Sequence, residues 1–170
     1  MNYAIPALAA LALTLAACDS VAPVRLGPDG KPLPTVHRIT PAEHNKIPYE
    51  MLDSINELRA AAGAPPVELN SRLTAAAATH SRDMHVQNRP WHFGSDGSSP
   101  LDRVQRTGYQ GTLLGENISE SFETDLETLA AWMAEKDTRD VILDPRARNI
   151  GLSWYQESNG KIWWTLVTGD

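Results

Sequence analysis

Residues 90–103 read PWHFGSDGSSPLDR, a loop that leads into a short helix. Its run of Gly, Ser and Asp is typical of turns, in which Asp96 accepts backbone N–H groups and Gly97 adopts a positive φ. The two serines before Pro100 are placed to cap the following helix, because a hydroxyl satisfies free N–H groups of its first turn. His92, at the entrance of the loop, is therefore a metal ligand, a catalytic base or part of the scaffold. The rest of the sequence is needed to choose among these roles.

The composition bounds the class of protein. The chain has 170 residues, 42 % of them hydrophobic, which suits one domain with a core of its own. Its 21 acidic and 15 basic residues give a formal net charge of −6. No basic block interrupts this acidity, so we expect no nucleic acid as a partner. The single cysteine, Cys18, excludes an intrachain disulfide and a zinc site built from cysteines.

The N-terminal segment has the pattern of an export signal. Residues 4–17 form a short apolar run, and residues 15–18, LAAC, resemble the lipobox of bacterial lipoproteins. This resemblance implies that residues 1–17 are a signal peptide and that Cys18 carries a lipid anchor in the membrane. The alternative is an ordinary cleaved signal with an incidental cysteine. Asp19 directly after the cysteine implies retention in the inner membrane in some Gram-negative bacteria.

The remainder divides into a tether and a domain. Residues 18–47 are rich in proline and show neither helical nor alternating periodicity, which predicts a tether. The domain is expected to cover residues 48–170. Helical spacing and capping residues predict four helices, which begin near Pro48, after Asn70 or Ser71, at Pro100 and after Thr124. Extended segments are predicted at 112–119, 149–156 and 161–168, the last two joined by the turn Ser158-Asn159-Gly160. Helices followed by a hairpin predict an α+β domain.

An ordered set of short motifs between about residues 50 and 168 carries a family resemblance. The motifs are LDSINELR at 52–59, His80-Ser81 with Asp83-Met84, HFGSDGS at 92–98 with Asp102-Arg103, Gly108-Tyr109, Gly115-Glu116-Asn117-Ile118, Trp132-Met133, Arg139, Ile142-Leu143, Ile150-Gly151 and Trp164-Thr165. Together they resemble the bacterial branch of the CAP superfamily, named for cysteine-rich secretory proteins, antigen 5 and pathogenesis-related proteins. The resemblance implies an α-β-α sandwich with a small antiparallel sheet between helices.

The resemblance also implies a cleft. In CAP domains two histidines and two acidic residues line a cleft that binds a divalent metal in some members. His92 matches the first histidine, Glu116 the first acid and Glu135 the second acid. Thr138 occupies the position at which bacterial members usually carry the second histidine. A weak site for a divalent metal such as zinc at His92, Glu116 and Glu135 therefore stays as one alternative.

Two histidines have competing interpretations. In one, His92 binds a ligand or metal; in the other, it hydrogen-bonds Glu116 and ties its loop to a strand. His80 lies on an apolar helical stripe and is predicted to be a core histidine. A serine-based hydrolase is disfavoured, because no G-x-S-x-G elbow is present.

The function expected from these observations is that of a binding module. We expect a lipid-anchored protein of the bacterial cell envelope that faces the extracytoplasmic side and holds an envelope lipid, glycan or protein in the cleft. One alternative is an extracytoplasmic hydrolase that uses His92 with Glu116 or Glu135 as an acid–base pair. The other is a structural or assembly domain with a vestigial cleft. Loss of the second histidine at Thr138 favours a binding or structural role over catalysis.

Overall fold

Five helices and four strands are formed by the described residues of the computed structural model, which are 36–170 together with Pro28 and Lys31. Cys18, Asp19, the expected signal peptide and most of the expected tether lie outside them. In chain order the elements are α1 Pro41–Ala61, β1 Glu68–Leu69, α2 Ser71–Gln87, α3 Pro100–Arg106, β2 Leu113–Glu120, α4 Asp125–Ala134, α5 Lys136–Leu143, β3 Asn149–Gln156 and β4 Ile162–Gly169.

Helix α1 begins at Pro41, before the domain start expected at residue 48. Thr40 caps it and forms a capping box with Glu43, and Pro41 suits the first helical position, where no backbone N–H is needed. Pro48 then lies inside the helix rather than at its start. The buried stripe accordingly reaches back from Met51 to Ile47, and the compact unit extends over Val36–Asp170.

The sheet is mixed, and its strand order is β1-β3-β4-β2. Strands β3 and β4 form the expected antiparallel hairpin, and β2 pairs antiparallel with β4 along the other side. The short strand β1 runs parallel to β3, a pairing that the expected antiparallel sheet did not include. A strand of two residues is too short to show an alternation of side chains, so no sequence pattern indicates it.

Helices cover both faces of the sheet, as the expected sandwich requires. One core cluster joins α1, α4 and α5 to residues such as Ile150, Trp164 and Leu166. A second, smaller cluster joins α2 and α3 to Val167. Neighbouring residues of a strand point to opposite faces, so Trp163 and Trp164 belong to different layers, and both are fully buried. The α+β fold class is confirmed. No helix of the described residues is both long and apolar enough to cross a membrane.

Candidate functional site

Glu116 is the centre of the candidate site. It lies on β2 opposite Val167, and directly opposed residues of an antiparallel pair share a face, so its side chain points towards α2 and α3. That side chain is only 3 % exposed. A buried carboxylate is costly unless it is paired, so the partners of Glu116 determine the chemistry here.

Arg103 of α3 is the principal partner. Its Nη2 lies 2.9 Å from Oε1 and 2.7 Å from Oε2 of Glu116, and its side chain is 2 % exposed. The same guanidinium donates to the carbonyl oxygens of Ser98 and His92, each at 3.0 Å. Arg103 thus neutralises Glu116 and fixes both ends of the loop quoted above.

His92 is the exposed partner of the same carboxylate. Its Nδ1 lies 2.9 Å from Oε1 of Glu116, which is the loop-to-strand contact expected from the sequence. The His92 side chain nevertheless remains 50 % exposed. Because Nδ1 is held by the carboxylate, the ring has a fixed orientation and a face open to solvent.

His80 of α2 is a second imidazole beside Glu116. It is fully buried, as the core prediction required, and its Nε2 lies 3.6 Å from Oε1 of Glu116. Within the described residues, no hydrogen bond of normal geometry reaches either ring nitrogen. Burial lowers the pKa of His80, and the nearby Glu116 charge offsets part of this effect. The interior therefore favours a neutral His80.

The loop around His92 has the turn chemistry that its sequence indicates. Asp96 Oδ1 accepts the N–H of Ser98 at 2.9 Å, and Gly97 has a φ of +80°. Ser99 caps α3 and forms a capping box with Asp102. The Asp102 carboxylate therefore caps α3. Arg103 pairs with Glu116 of β2 and not with Asp102, its neighbour in sequence.

Aromatic side chains flank the exposed histidine. The rings of Trp91 and Phe93 lie 5.5 Å apart, and the guanidinium of Arg89 stands 3.9 Å from the centre of the Trp91 ring. Phe93 is 47 % exposed. The surface next to His92 thus combines an apolar ring with a cation.

The residues beside Glu116 explain the Gly115-Glu116-Asn117 motif. Asn117 points to the opposite face of β2 and donates from Nδ2 to the carbonyl oxygen of Thr138 at 2.8 Å. Gly115 shares that face, where a Cβ would stand 2.6 Å from a methyl group of Val141. Only glycine lets α5 pack this closely. The motif therefore joins α5 to one face of the strand and presents its carboxylate on the other.

The structure brings together His92 and Glu116 but not all four residues expected in the cleft. Thr138 lies on α5, and its Oγ1 donates to the carbonyl oxygen of Trp132 at 2.6 Å. Glu135 is exposed at the junction of α4 and α5, where its side chain does not cap α5. Neither joins Glu116, because α5 packs against the face of β2 that carries Asn117.

This arrangement does not fit a metal ion. Among the described residues, no group of three or more His, Cys, Asp or Glu side chains is placed to hold one. Both oxygens of Glu116 already accept from Arg103, whose positive charge repels a cation. The donors expected at His92, Glu116 and Glu135 are thus separated and partly neutralised.

The sequence gives only a weak indication that Arg103 and His80 lie beside Glu116. Arg103 is adjacent to Asp102, which indicates a local ion pair or a loop anchor. It does anchor the loop, but its ionic partner is Glu116, 13 residues away. His80 lies on an apolar stripe, which predicts burial but not the carboxylate beside it. Contacts between separate elements are not readable from the spacing within either element.

Comparison with known proteins agrees with this fold. The model of the family described as "CAP: Cysteine-rich secretory protein family" matches residues 52–168. The chain is 28 % identical over 123 residues to the uncharacterized protein YkwD of Bacillus subtilis. That match covers 72 % of this chain and 47 % of YkwD, so the chain spans less than half of that relative.

Two solved structures show the same architecture. An outer surface protein of Borrelia burgdorferi superposes with a TM-score of 0.68 at 18 % identity, over 80 % of this chain and 98 % of that one. An extracellular protein containing an SCP domain from Bacillus anthracis gives 0.67 at 21 % identity, over 78 % and 45 % of the two chains. Both likenesses establish the fold. With the family match over more than half of its length, the chain belongs to the CAP, or cysteine-rich secretory protein, family.

Proposed function

We propose that this protein is an extracytoplasmic binding module in which His92 faces the ligand. The proposal rests on the different contacts that Arg103 and His92 make with Glu116. Arg103 neutralises the buried carboxylate through both oxygens, so His92 is not needed to compensate its charge. The carboxylate instead orients a half-exposed imidazole, which is the arrangement used to present one ring nitrogen outward.

The surroundings of His92 support a ligand from the cell envelope. The exposed Phe93 ring offers apolar contact, and the Arg89 guanidinium offers a positive charge within the same loop. A ligand pocket typically combines apolar surface with a few oriented polar groups. An envelope lipid, glycan or peptide has these features, whereas the donor geometry disfavours zinc.

Membrane attachment through Cys18 is part of the proposal. The apolar run before LAAC supports it, as do the names of the similar structures, an outer surface protein and an extracellular protein. Cys18→Ala in the full chain is expected to move the protein from the membrane fraction to the soluble fraction. Radiolabelled palmitate should enter the wild type alone. Failure of the wild type to incorporate label would leave only a cleaved signal.

The hydrolase is the second candidate, because His92 and Glu116 form a contact of the kind used in acid–base catalysis. The Arg103 contact makes Glu116 an orienting group rather than a proton acceptor. The nearby hydroxyl of Ser95 donates to Asp83 at 2.7 Å instead of to His92. The site therefore supports binding better than turnover.

The experiment compares the wild type with His92→Ala and with His37→Ala as a control for loss of an imidazole elsewhere. Each is melted with phosphatidylglycerol vesicles and with zinc chloride. Binding to the folded state alone stabilises it by about 2.7 kcal/mol at a hundredfold excess over Kd. We expect the vesicles to raise Tm in wild type and His37→Ala but not in His92→Ala. A shift unchanged by His92→Ala, or no shift with any probe, would contradict the proposal.

A further inference from the structure

A concavity lies on another part of the surface, between the first half of α1, the end of β1 and the start of α2. Its volume is about 460 Å³, and its wall includes His44, Asn45 and Tyr49 of α1 and Ser71 and Thr74 of α2. Pockets that take small molecules commonly measure about 300–1,000 Å³. The size therefore suits a ligand of one or two rings.

The wall offers hydrogen-bonding groups that the protein itself does not use. Within the described residues, the side chains of Asn45, Tyr49, Ser71 and Thr74 make no hydrogen bond to another group of the chain. Together they supply an amide, which donates and accepts, and three hydroxyls, which do both. A ligand that carries several hydroxyl groups matches this set.

The same wall lacks permanently charged side chains among the described residues. Charged residues make up 21 % of the chain, yet among the described residues no Asp, Glu, Lys or Arg lines the concavity. The charged neighbours along the two helices are engaged elsewhere: Lys46 pairs with Glu50 at 2.6 Å, and Arg72 donates to the carbonyl oxygen of Gly108. A charged ligand would lose hydration here without gaining a carboxylate, ammonium or guanidinium partner.

Apolar contact completes the wall. Tyr49 is 63 % exposed, and Pro48 and Leu69 line the concavity with it. An aromatic ring with a hydroxyl tip packs on the C–H face of a sugar and hydrogen-bonds its edge. We propose that this concavity, defined by Asn45, Tyr49, Ser71 and Thr74, is a binding site for a neutral sugar. It is separate from His92 and does not depend on the function proposed above.

The test is a titration of the protein with N,N′-diacetylchitobiose, in which binding is detected by changes in the amide NMR chemical shifts. Saturable shifts are expected for the Asn45 side-chain amide and for the backbone of Ser71 and Thr74. Tyr49→Ala should weaken binding about tenfold, as expected for loss of an aromatic anchor. Phe122→Ala, which removes a partly exposed ring outside the concavity, should bind as the wild type does. Glucuronate, a charged sugar, should bind more weakly than glucose.

Three outcomes would overturn the proposal. These are absence of shifts at the concavity, equal affinity of Tyr49→Ala and wild type, and shifts confined to the loop around His92. His92→Ala separates the two sites, because it should leave binding at the concavity intact. A sugar that binds His92→Ala normally would support this site even if the function proposed for His92 failed.

Discussion

Arg103 and Glu116 form a buried ion pair in which one guanidinium nitrogen lies 2.9 and 2.7 Å from the two carboxylate oxygens. Both side chains are at most 3 % exposed. The pair joins α3 to β2 and also holds the carbonyl oxygens at both ends of the loop that carries His92. Arg103 therefore compensates the buried charge of Glu116, and our proposal assigns His92 to ligand binding.

Arg103→Met tests whether Arg103 compensates the buried charge of Glu116. The variant keeps an unbranched side chain in the core but leaves the Glu116 charge buried with only histidine neighbours. Removal of one partner of a buried ion pair typically costs about 3–5 kcal/mol. We expect a loss of that size in the free energy of unfolding, measured with urea at pH 7.

Arg106→Met is the matched control, because Arg106 lies one turn further along the chain. Its partner is Asp96 at 2.5 Å, and both side chains are at least half exposed. Exposed ion pairs contribute little to stability. Similar losses for Arg103→Met and Arg106→Met would show that the buried pair has no special role.

Because His80 is buried, we expect the stability of the protein to depend on pH. Burial, the main cause, lowers the pKa of His80 in the folded state, whereas an unfolded histidine titrates near about 6.5. As the pH falls through that value, the unfolded chain takes up a proton that the folded chain resists, so stability decreases. One such proton contributes at most about 1.4 kcal/mol per pH unit.

His80→Gln should remove this contribution. Urea unfolding at pH 5, 6, 7 and 8 gives the slope for each protein, and the variant is expected to have the shallower decline below about pH 6.5. The comparison uses slopes, so a constant packing loss in the variant does not affect it. Equal slopes would mean that His80 titrates alike in the folded and unfolded states.

Asp125 is expected to make the opposite contribution to the pH dependence of stability. It begins α4, is 9 % exposed, and its Oδ2 makes no hydrogen bond within the described residues. Burial raises the pKa of this carboxyl group, and the nearby Glu50 charge adds to the effect. The ionised form is therefore less favourable in the folded state than in the unfolded chain.

Asp125→Asn keeps the shape of the side chain and removes the charge. We expect the variant to be more stable than the wild type at pH 7. The difference should vanish below the unfolded carboxyl pKa of about 3.9, where both residues are neutral. Urea unfolding at pH 7 and pH 3 measures both. A variant that is less stable at pH 7 would show that the Asp125 charge is favourable where it lies.

Local features of the sequence predicted most of the elements. The Thr124 capping box, the Ser158-Asn159-Gly160 turn and the turn at Asp96-Gly97 depend on neighbouring residues, and all three were confirmed. The predicted start of α1 at Pro48 was wrong, because the helix begins at Pro41, where Thr40 and Glu43 form a capping box. Proline inside a helix costs one hydrogen bond, which the buried side chains of Ile47 and Met51 outweigh.

The candidate site was only partly predictable, because it is assembled from separate elements. The pair of His92 and Glu116 followed from the family motifs and was found at 2.9 Å. Arg103 was not expected to pair with Glu116, since nothing in α3 indicates which strand it faces. Glu135 and Thr138 were expected beside His92, but the alternation of β2 directs Glu116 and Asn117 to opposite faces.

The free energy of unfolding of His92→Ala tests the central claim most directly. If Arg103 alone compensates Glu116, removal of the half-exposed imidazole costs a single hydrogen bond. Urea unfolding at pH 7 should then give a loss of about 1 kcal/mol or less. A loss of about 2–3 kcal/mol would indicate that Glu116 is left unsatisfied without His92. In that case His92 would be a tie between the loop and the strand, and the ligand site would lie elsewhere.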